Sequence, residues 1–367
     1  MVADNEFKGW AGLDEKACDG HMSFQEFTPK KWDEDDVDVK ILYCGICGSD
    51  VSSLTGEWGL VKDICPQVCG HEIVGEVVRV GTSPENGLKI GDLVGIGAQS
   101  DSCRECEWCK EGKENYCATQ TITFNYPYNR GPNGKGSIAR GGFAKYWRGP
   151  SKFAVPLPSG LEPDVAAPML CGGVTVYSPL ARFEIGTKRK RVGVIGVGGL
   201  GHMAILFAKA MGAEVTAISR TDAKKEDAFK LGATDYFATG GDLQEAVKAR
   251  TRSLDFILCT INPESFSISD YLPLLTPAGV FCIVGVIPTP LQVPAFPLIT
   301  NSACVAGSNI GSPKEITEMF EFAVKHNIKP WIQKWNFDDI NKALPSFQKG
   351  DPRYRFVLVN ADNGGKL

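Results

Sequence analysis

Four cysteines, Cys103, Cys106, Cys109 and Cys117, follow the spacing C-x2-C-x2-C-x7-C inside a polar stretch from Asp101 to Tyr116. Packing gives no reason to crowd sulfurs into such a loop, whereas four thiolates around one Zn2+ do. An iron–sulfur cluster also takes four cysteines, and a coincidence of inert thiols is the third reading. A closed four-sulfur zinc shell has no open position, so such a metal would pin the loop and leave catalysis to another site. A second set is scattered: Cys47 in GICGSD, His71 in Gly70-His71-Glu72, and Cys171 in LCGG. Taken singly, a cysteine is usually a small buried hydrophobe and a histidine an ordinary core or surface residue. Together, two thiolates and one imidazole make a three-ligand zinc site with a fourth position free, and such an ion polarises a carbonyl and stabilises an alkoxide.

A third constellation concerns phosphate. Gly196-Val197-Gly198-Gly199-Leu200-Gly201 follows the apolar run Val192–Ile195 and opens a stretch of helical period with Leu200, Ala204, Phe207 and Met211 on one face. That strand–turn–helix context is what raises GxGxxG above a bare string, and it would seat a pyrophosphate on the helix N-terminus. A glycine-rich turn without ligand is the competing reading. About twenty residues further on, where an acidic residue would bond the ribose hydroxyls of NAD, the chain reads Ser219-Arg220-Thr221. Ser219 and Arg220, with Lys224 one turn away, offer a hydroxyl and cations to a 2′-phosphate, so the cofactor expected is NADP(H). Otherwise Arg220 and Lys224 merely solvate a helix face, with Asp222 weakening the positive field.

The scaffold around these residues is legible in outline. The chain has 367 residues, 43% hydrophobic and 22% charged, enough for two cores. Its formal charge of −4 and the absence of a long basic run give no reason to expect nucleic acid or an anionic membrane as partner, so a small molecule is expected. Met1 to Gly12 lacks a secretory pattern and no apolar run approaches a membrane span, which suggests a soluble cytoplasmic protein. In a reducing compartment its thirteen cysteines read as thiols and metal ligands. Seven of them, Cys18, Cys44, Cys65, Cys69, Cys259, Cys282 and Cys304, have no ligand spacing and are expected to be buried and inert.

Alternating apolar residues at Val37, Val39, Ile41 and Tyr43, and again over Glu72–Val80, predict strands in the first third. Residues 125–142 carry no period and read as a long surface connection. From about Pro163 the texture changes. Strand runs at 192–195, 214–218, 235–237, 254–259, 280–284 and 303–306 alternate with helical segments such as 242–252, which predicts a parallel, doubly wound sheet. Ser312, Pro313 and Glu315 form a helix-start signature, and the alternating tail 354–359 is expected to return to the first domain. The fold class is therefore α/β, with a Rossmann domain over 165–311 inserted into a β-rich domain made of 1–164 and 312–367.

These motifs, with GHEIVG at 70–75, GDLVG at 91–95, LCGGVTVYSPL at 170–180 and GVGGLGH at 196–202, run in order along nearly the whole chain. In them the sequence resembles the zinc-dependent medium-chain alcohol dehydrogenases, specifically the cinnamyl alcohol dehydrogenase-like branch that includes fungal NADP-dependent forms. The resemblance implies a GroES-like first domain, two Zn2+ per subunit and a homodimer. It makes Cys47, His71 and Cys171 the ligands of a catalytic zinc, Glu72 a carboxylate able to approach the metal, and Asp50 the group that orients the zinc histidine. Ser49 matches the hydroxyl that bonds the substrate oxygen and starts proton transfer. Ser52 stands where many relatives have a histidine that passes the proton on. Thr175, Gly285, Ser308 and Arg353 match positions near the nicotinamide or phosphates, and Trp58 and Ile310 match pocket walls. The implied activity is NADPH-dependent reduction of aromatic, cinnamyl-type or medium-chain aldehydes, and the reverse oxidation of primary alcohols, with the chemistry between the two domains. A reductase of conjugated carbonyls or iminium ions is the alternative suggested by Ser52, and a nucleotide-binding protein without turnover is the alternative outside catalysis.

Overall fold

Asp36–Ile46 (β1) shows why alternation does not mean exposure here. Val37, Val39 and Ile41 enter a core with Ile73, Val77, Phe143, Trp147 and Phe356. The intervening Asp36 and Asp38 are also buried, which is possible because Lys30 lies 2.7 Å from Asp36 and Arg148 2.7 Å from Asp38. The structure is a computed structural model that describes residues 2, 4–57, 65–263 and 266–367. Contacts divide the chain into two units, Met1–Val174 with Gly311–Leu367, and Thr175–Ile310.

In the first unit β1 is followed by a short helix, Gly48–Leu54 (α1), and by Ile73–Val80 (β2), Leu93–Ile96 (β3), Tyr146–Pro150 (β4) and Val155–Pro156 (β5). The helix Pro163–Pro168 (α2) packs on β1 and β2 and runs into a single π turn, Met169–Gly173. That packing carries the first unit on to Val174, ten residues beyond the expected boundary at 164. The expected surface course of 125–142 is corrected in part. Asn125, Tyr128 and Ala139 are buried, because backbone bonds such as Asn125 N–H to Ala139 O (2.9 Å) fold the segment back on itself.

The second unit begins in the helix Val174–Arg182 (α3) and holds strands Arg191–Ile195 (β6), Glu214–Ser219 (β7), Asp235–Ala238 (β8), Leu254–Cys259 (β9), Leu275–Ile283 (β10) and Cys304–Gly307 (β11). All pairings are parallel and the order is β8-β7-β6-β9-β10-β11. This is the doubly wound Rossmann arrangement, whose order reverses at β6. The helix Gly199–Ala210 (α4) starts just past β6, so the glycine turn lies at the switch point. The helical segment expected over 242–252 is shorter, Leu243–Lys248, capped by the Asp242 carboxylate and followed by Arg252 at φ +54.

Ser312 caps the helix Pro313–His326 (α5), exchanging bonds with Glu315 as a capping box worth about 1 kcal/mol. Ile316, Met319, Phe320 and Ala323 are its buried face, at helical spacing. Ile332–Asn336 (β12) and Arg355–Val359 (β13) return to the first unit's sheet, ordered β12-β13-β1-β2-β3-β5, with β4 pairing the first half of β1. Among the described residues no helix is long and apolar enough to cross a membrane.

Candidate active site

Cys47 ends β1's run and caps α1, and Asp50 closes the capping box by accepting the Cys47 N–H at 2.8 Å. The other Asp50 oxygen accepts from Gly70 N–H and bonds His71 Nδ1, each at 2.9 Å. One buried carboxylate thus holds the start of α1 against Gly70 and His71, just before β2. With Nδ1 committed, His71 presents Nε2, a buried atom with no hydrogen-bond partner among the described residues. Cys171, on the π turn, brings Sγ to 4.0 Å from Cys47 Sγ. Donor atoms of Cys47, His71, Glu72 and Cys171 all lie within 4.8 Å of one another. This cluster of two sulfurs, an aimed imidazole nitrogen and a carboxylate fits a divalent zinc ion in donor chemistry and spacing.

The electrostatics agree with that fit. The Cys171 sulfur and nearby Arg355 hold the Cys47 thiol well below its ordinary value against the effect of burial, while Cys171 moves up. Burial would lower His71, but Asp50 raises it overall. Burial pushes Glu72 up to about 7, with Arg355 opposing. Arg355 pairs with Glu72 Oε1, leaving Oε2 buried and unpartnered among the described residues. Gly45 leaves room for that carboxylate, since a side chain there would collide with it. Ser49 Oγ lies 4.0 Å from Cys47 Sγ on the first turn of α1.

The four-cysteine loop is a separate cluster. Sulfur separations of 3.9 Å (Cys103–Cys109) and 3.5 Å (Cys106–Cys109 and Cys117–Cys103) compare with the ~3.8 Å edge of a tetrahedron built on ~2.3 Å Zn–S bonds. N–H groups of Glu105 and Cys106 bring Cys103 down to about 6, favouring the thiolate a metal needs. At the glycine turn, a side chain at Gly201 would strike the Gly196 carbonyl, whereas the space beside Gly198 is open. Backbone closeness and an open flank are what a pyrophosphate requires. Ser219 and exposed Arg220 end β7, and Lys224 Nζ bonds the Val197 carbonyl at 2.7 Å, beside Gly198, Gly199 and Leu200.

Comparison with known proteins decides the family. Residues 33–159 match the alcohol dehydrogenase GroES-like domain and residues 199–325 the zinc-binding dehydrogenase domain. The chain is 42% identical over 351 residues to 8-hydroxygeraniol dehydrogenase of Catharanthus roseus, covering 95% of this chain and 94% of that protein. A cinnamyl alcohol dehydrogenase (CAD) structure from Sorghum bicolor superposes with a TM-score of 0.89 at 39% identity, covering 98% of each chain. The CAD from Helicobacter pylori complexed with NADP(H) gives 0.84 at 35% identity, covering 96% of this chain and 97% of that one. The chain is a zinc-dependent medium-chain alcohol dehydrogenase. It belongs to the cinnamyl alcohol dehydrogenase branch, an oxidoreductase family acting on CH–OH groups.

Other residues expected to matter in this dehydrogenase fall in different places. Thr175 is buried in α3. Gly285 follows β10, its N–H bonding Cys259 O at 3.3 Å. Ser308 keeps a buried Oγ with no hydrogen-bond partner among the described residues. Ile310 is half-buried at φ +35, a strained value for a β-branched residue. Arg353 is exposed in the first unit, its guanidinium 5.7 Å from the Tyr354 ring. Trp58 lies outside the described residues. Ser52 donates to the Glu57 carboxylate at 2.7 Å. Two of the seven unassigned cysteines correct the expectation of burial: Cys304 is exposed on the edge strand β11 and Cys65 is also exposed. Arg355 was missed in the sequence, although a lone cation in the apolar run RFVLV is itself a sign of a buried partner.

Proposed function

We propose that this chain is an NADP(H)-dependent aldehyde reductase and alcohol dehydrogenase acting on aromatic, cinnamyl-type or medium-chain substrates, with two Zn2+ per subunit. The observation that carries the reading is the convergence of Cys47, His71 and Cys171 with a buried, unpartnered His71 Nε2. These three residues, with Glu72 at hand, would hold a zinc ion whose Lewis acidity draws charge onto the substrate oxygen. The glycine turn would hold the pyrophosphate of NADP(H), with Ser219, Arg220 and Lys224 as the residues for its 2′-phosphate, and the bound cofactor would supply the hydride. Thr175, Gly285, Ser308 and Arg353 belong to the same reading as contacts of the nicotinamide or phosphates, and Trp58 and Ile310 as pocket walls.

Asp50 keeps the imidazole in one tautomer and makes it a better donor. Ser49 passes its hydroxyl proton to the substrate oxygen during reduction and takes one during oxidation. Cys103, Cys106, Cys109 and Cys117 would hold the second zinc and stiffen their loop. The names of the relatives, one acting on a hydroxygeraniol and others on cinnamyl alcohols, support the substrate class. Ser52 bonded to Glu57, at the place of a relay histidine, favours a second reading, reduction of conjugated carbonyl or iminium compounds. The edge strand β11 with Phe296 and Ile299, 75% and 74% exposed, supports a homodimer formed through that edge. The thiols gathered in the two metal-binding clusters support the reducing cytoplasm as its location.

The test is elemental analysis of active protein followed by NADPH oxidation with a panel of aldehydes and enals, with product identification. Two zinc atoms per subunit and saturated or allylic alcohols as products are expected. A single zinc confined to the four-cysteine loop would overturn the mechanism, and saturated aldehydes as products would select the second reading.

A further inference from the structure

Two chain segments must hold a fixed separation for the three-ligand cluster to exist. One is α1, with Cys47 and Ser49 at its start, and the other is the stretch that leads through Cys69 to His71. Asp50 links them in the first turn of α1. A link at one end of a two-turn helix leaves a pivot unless the other end is held too. At the other end of α1, Ser53 meets a side chain that has no part in the ligand set, Asn125.

Asn125 is 1% exposed and sits at φ +60, a left-handed backbone that asparagine tolerates and most residues resist. Its Nδ2 donates to Gln67 Oε1 at 2.8 Å and to Ser53 Oγ at 3.2 Å, with a longer contact to Cys69 Sγ at 3.6 Å. Ser53 Oγ also donates to Gln67 Oε1, at 3.1 Å, so the two segments and Asn125 form one buried network. The preceding residue, Phe124, lays its ring 5.4 Å from the His71 imidazole. Residues 124 and 125 therefore touch the far end of α1, the approach to His71, and the His71 ring itself.

We propose that Asn125 is a positioning residue of the catalytic centre. Its carboxamide clamps the second turn of α1 to the segment bearing Cys69 and His71, and with Asp50 it sets the separation of the Cys47 thiolate from His71 Nε2. The proposal rests on the reading of Cys47, His71 and Cys171 as zinc ligands. Donation is the property needed: aspartate would keep the backbone conformation yet turn a carboxylate toward the Gln67 oxygen, and glycine would keep the backbone and remove the clamp.

The test uses the full-length protein and its Asn125→Gly, Asn125→Asp and Ser53→Ala variants. Zinc affinity is read by competition with a chromogenic chelator, with the metal of the four-cysteine loop as internal reference, and ligand geometry by the visible spectrum after cobalt substitution. Losing a group that orients metal ligands typically costs about 10–100-fold in metal affinity or activity. Asn125→Gly and Asn125→Asp are expected to weaken the three-ligand site by that amount, shift the cobalt bands and lower kcat, leaving KM for NADPH and the reference metal unchanged. Ser53→Ala is expected to do so more mildly, and combined with Asn125→Gly to add nothing further. Wild-type zinc affinity within twofold and an unshifted spectrum in Asn125→Gly would overturn the clamp. If that variant does not fold, the same criterion applies to Ser53→Ala combined with Gln67→Met, which removes the clamp's two oxygen acceptors. Wild-type protein that binds no metal beyond the four-cysteine loop would instead overturn the underlying reading of the site.

Discussion

Replacing Arg355 by methionine isolates the energetics of the Glu72 pair. Glu72 is fully buried and the Arg355 side chain only 4% exposed, so the substitution leaves a carboxylate in the interior without its cation. Breaking a buried pair in this way costs about 3–5 kcal/mol. The carboxyl can escape that cost by taking up a proton, which makes the loss pH-dependent. Its folded value is about 7 with Arg355 present, raised by burial from an ordinary 4.5, and removal of the cation raises it further. For a raised carboxyl, stability is complete below the unfolded value and falls as pH climbs toward the folded one, by about 1.36 kcal/mol per pH unit. In the wild type the decline levels off above about 7. In Arg355→Met it continues, so between about pH 7 and 8.5 the variant should lose up to ~2 kcal/mol more than the wild type. All seven tryptophans lie within Met1–Val174 and Gly311–Leu367, so urea unfolding followed by tryptophan fluorescence reports on this unit. The comparison is made with both proteins stripped of metal at Cys47, His71 and Cys171, because a dication there would add its own charge to the Glu72 balance. A gap between wild type and variant that is below ~1 kcal/mol, or that is the same at both pH values, would refute the reasoning. Adding Glu72→Gln should restore part of the loss at high pH, because the carboxylate orphaned by the substitution is then removed.

Three further outcomes are expected. Asp255 accepts from the Arg191 side chain at 2.6 Å and from the Arg191 and Lys190 N–H groups, and these bonds hold its carboxyl below the usual range although burial works the other way. A depressed carboxyl stabilises above the unfolded value and loses that effect as pH falls through the folded one, so Asp255→Asn should cost ~1–3 kcal/mol near neutrality, with the gap to wild type closing in acid, by far-UV circular dichroism. Ser52→His should give the pH profile of alcohol oxidation a new inflection near ~6.5, and coincident profiles would remove any role for this position in proton release. Arg220→Asp should lower kcat/KM for NADPH by about 10–100-fold while sparing NADH, and a wild-type preference for NADH would refute the assignment of Ser219, Arg220 and Lys224.

Local spacing was the most legible part of this protein. The four cysteines lie within fifteen residues, the glycine turn within six, and the Ser312–Glu315 capping box within four, so covalent connectivity alone brings their groups near one another. The parallel sheet was readable for a related reason: a buried strand declares itself by a short apolar run and its helix by period. Exposure was less so. Asp36 and Asp38 look like the wet face of β1 and are buried on cations, while Cys304 looks like core and opens an edge strand.

The set of elements, their order and the chemical types gathered in short motifs are written along the chain, because they depend on neighbours in sequence. Which distant groups share one buried volume is fixed by the folded packing alone. Glu72 and Arg355 are 283 positions apart, and Asn125 meets Gln67 and Cys69 across 58 and 56. No spacing rule encodes such pairs. They arise because β13 lies beside β1 and because the segment after Thr123 folds back on α1, and a buried polar atom must then find its partner among whatever side chains the packing has delivered.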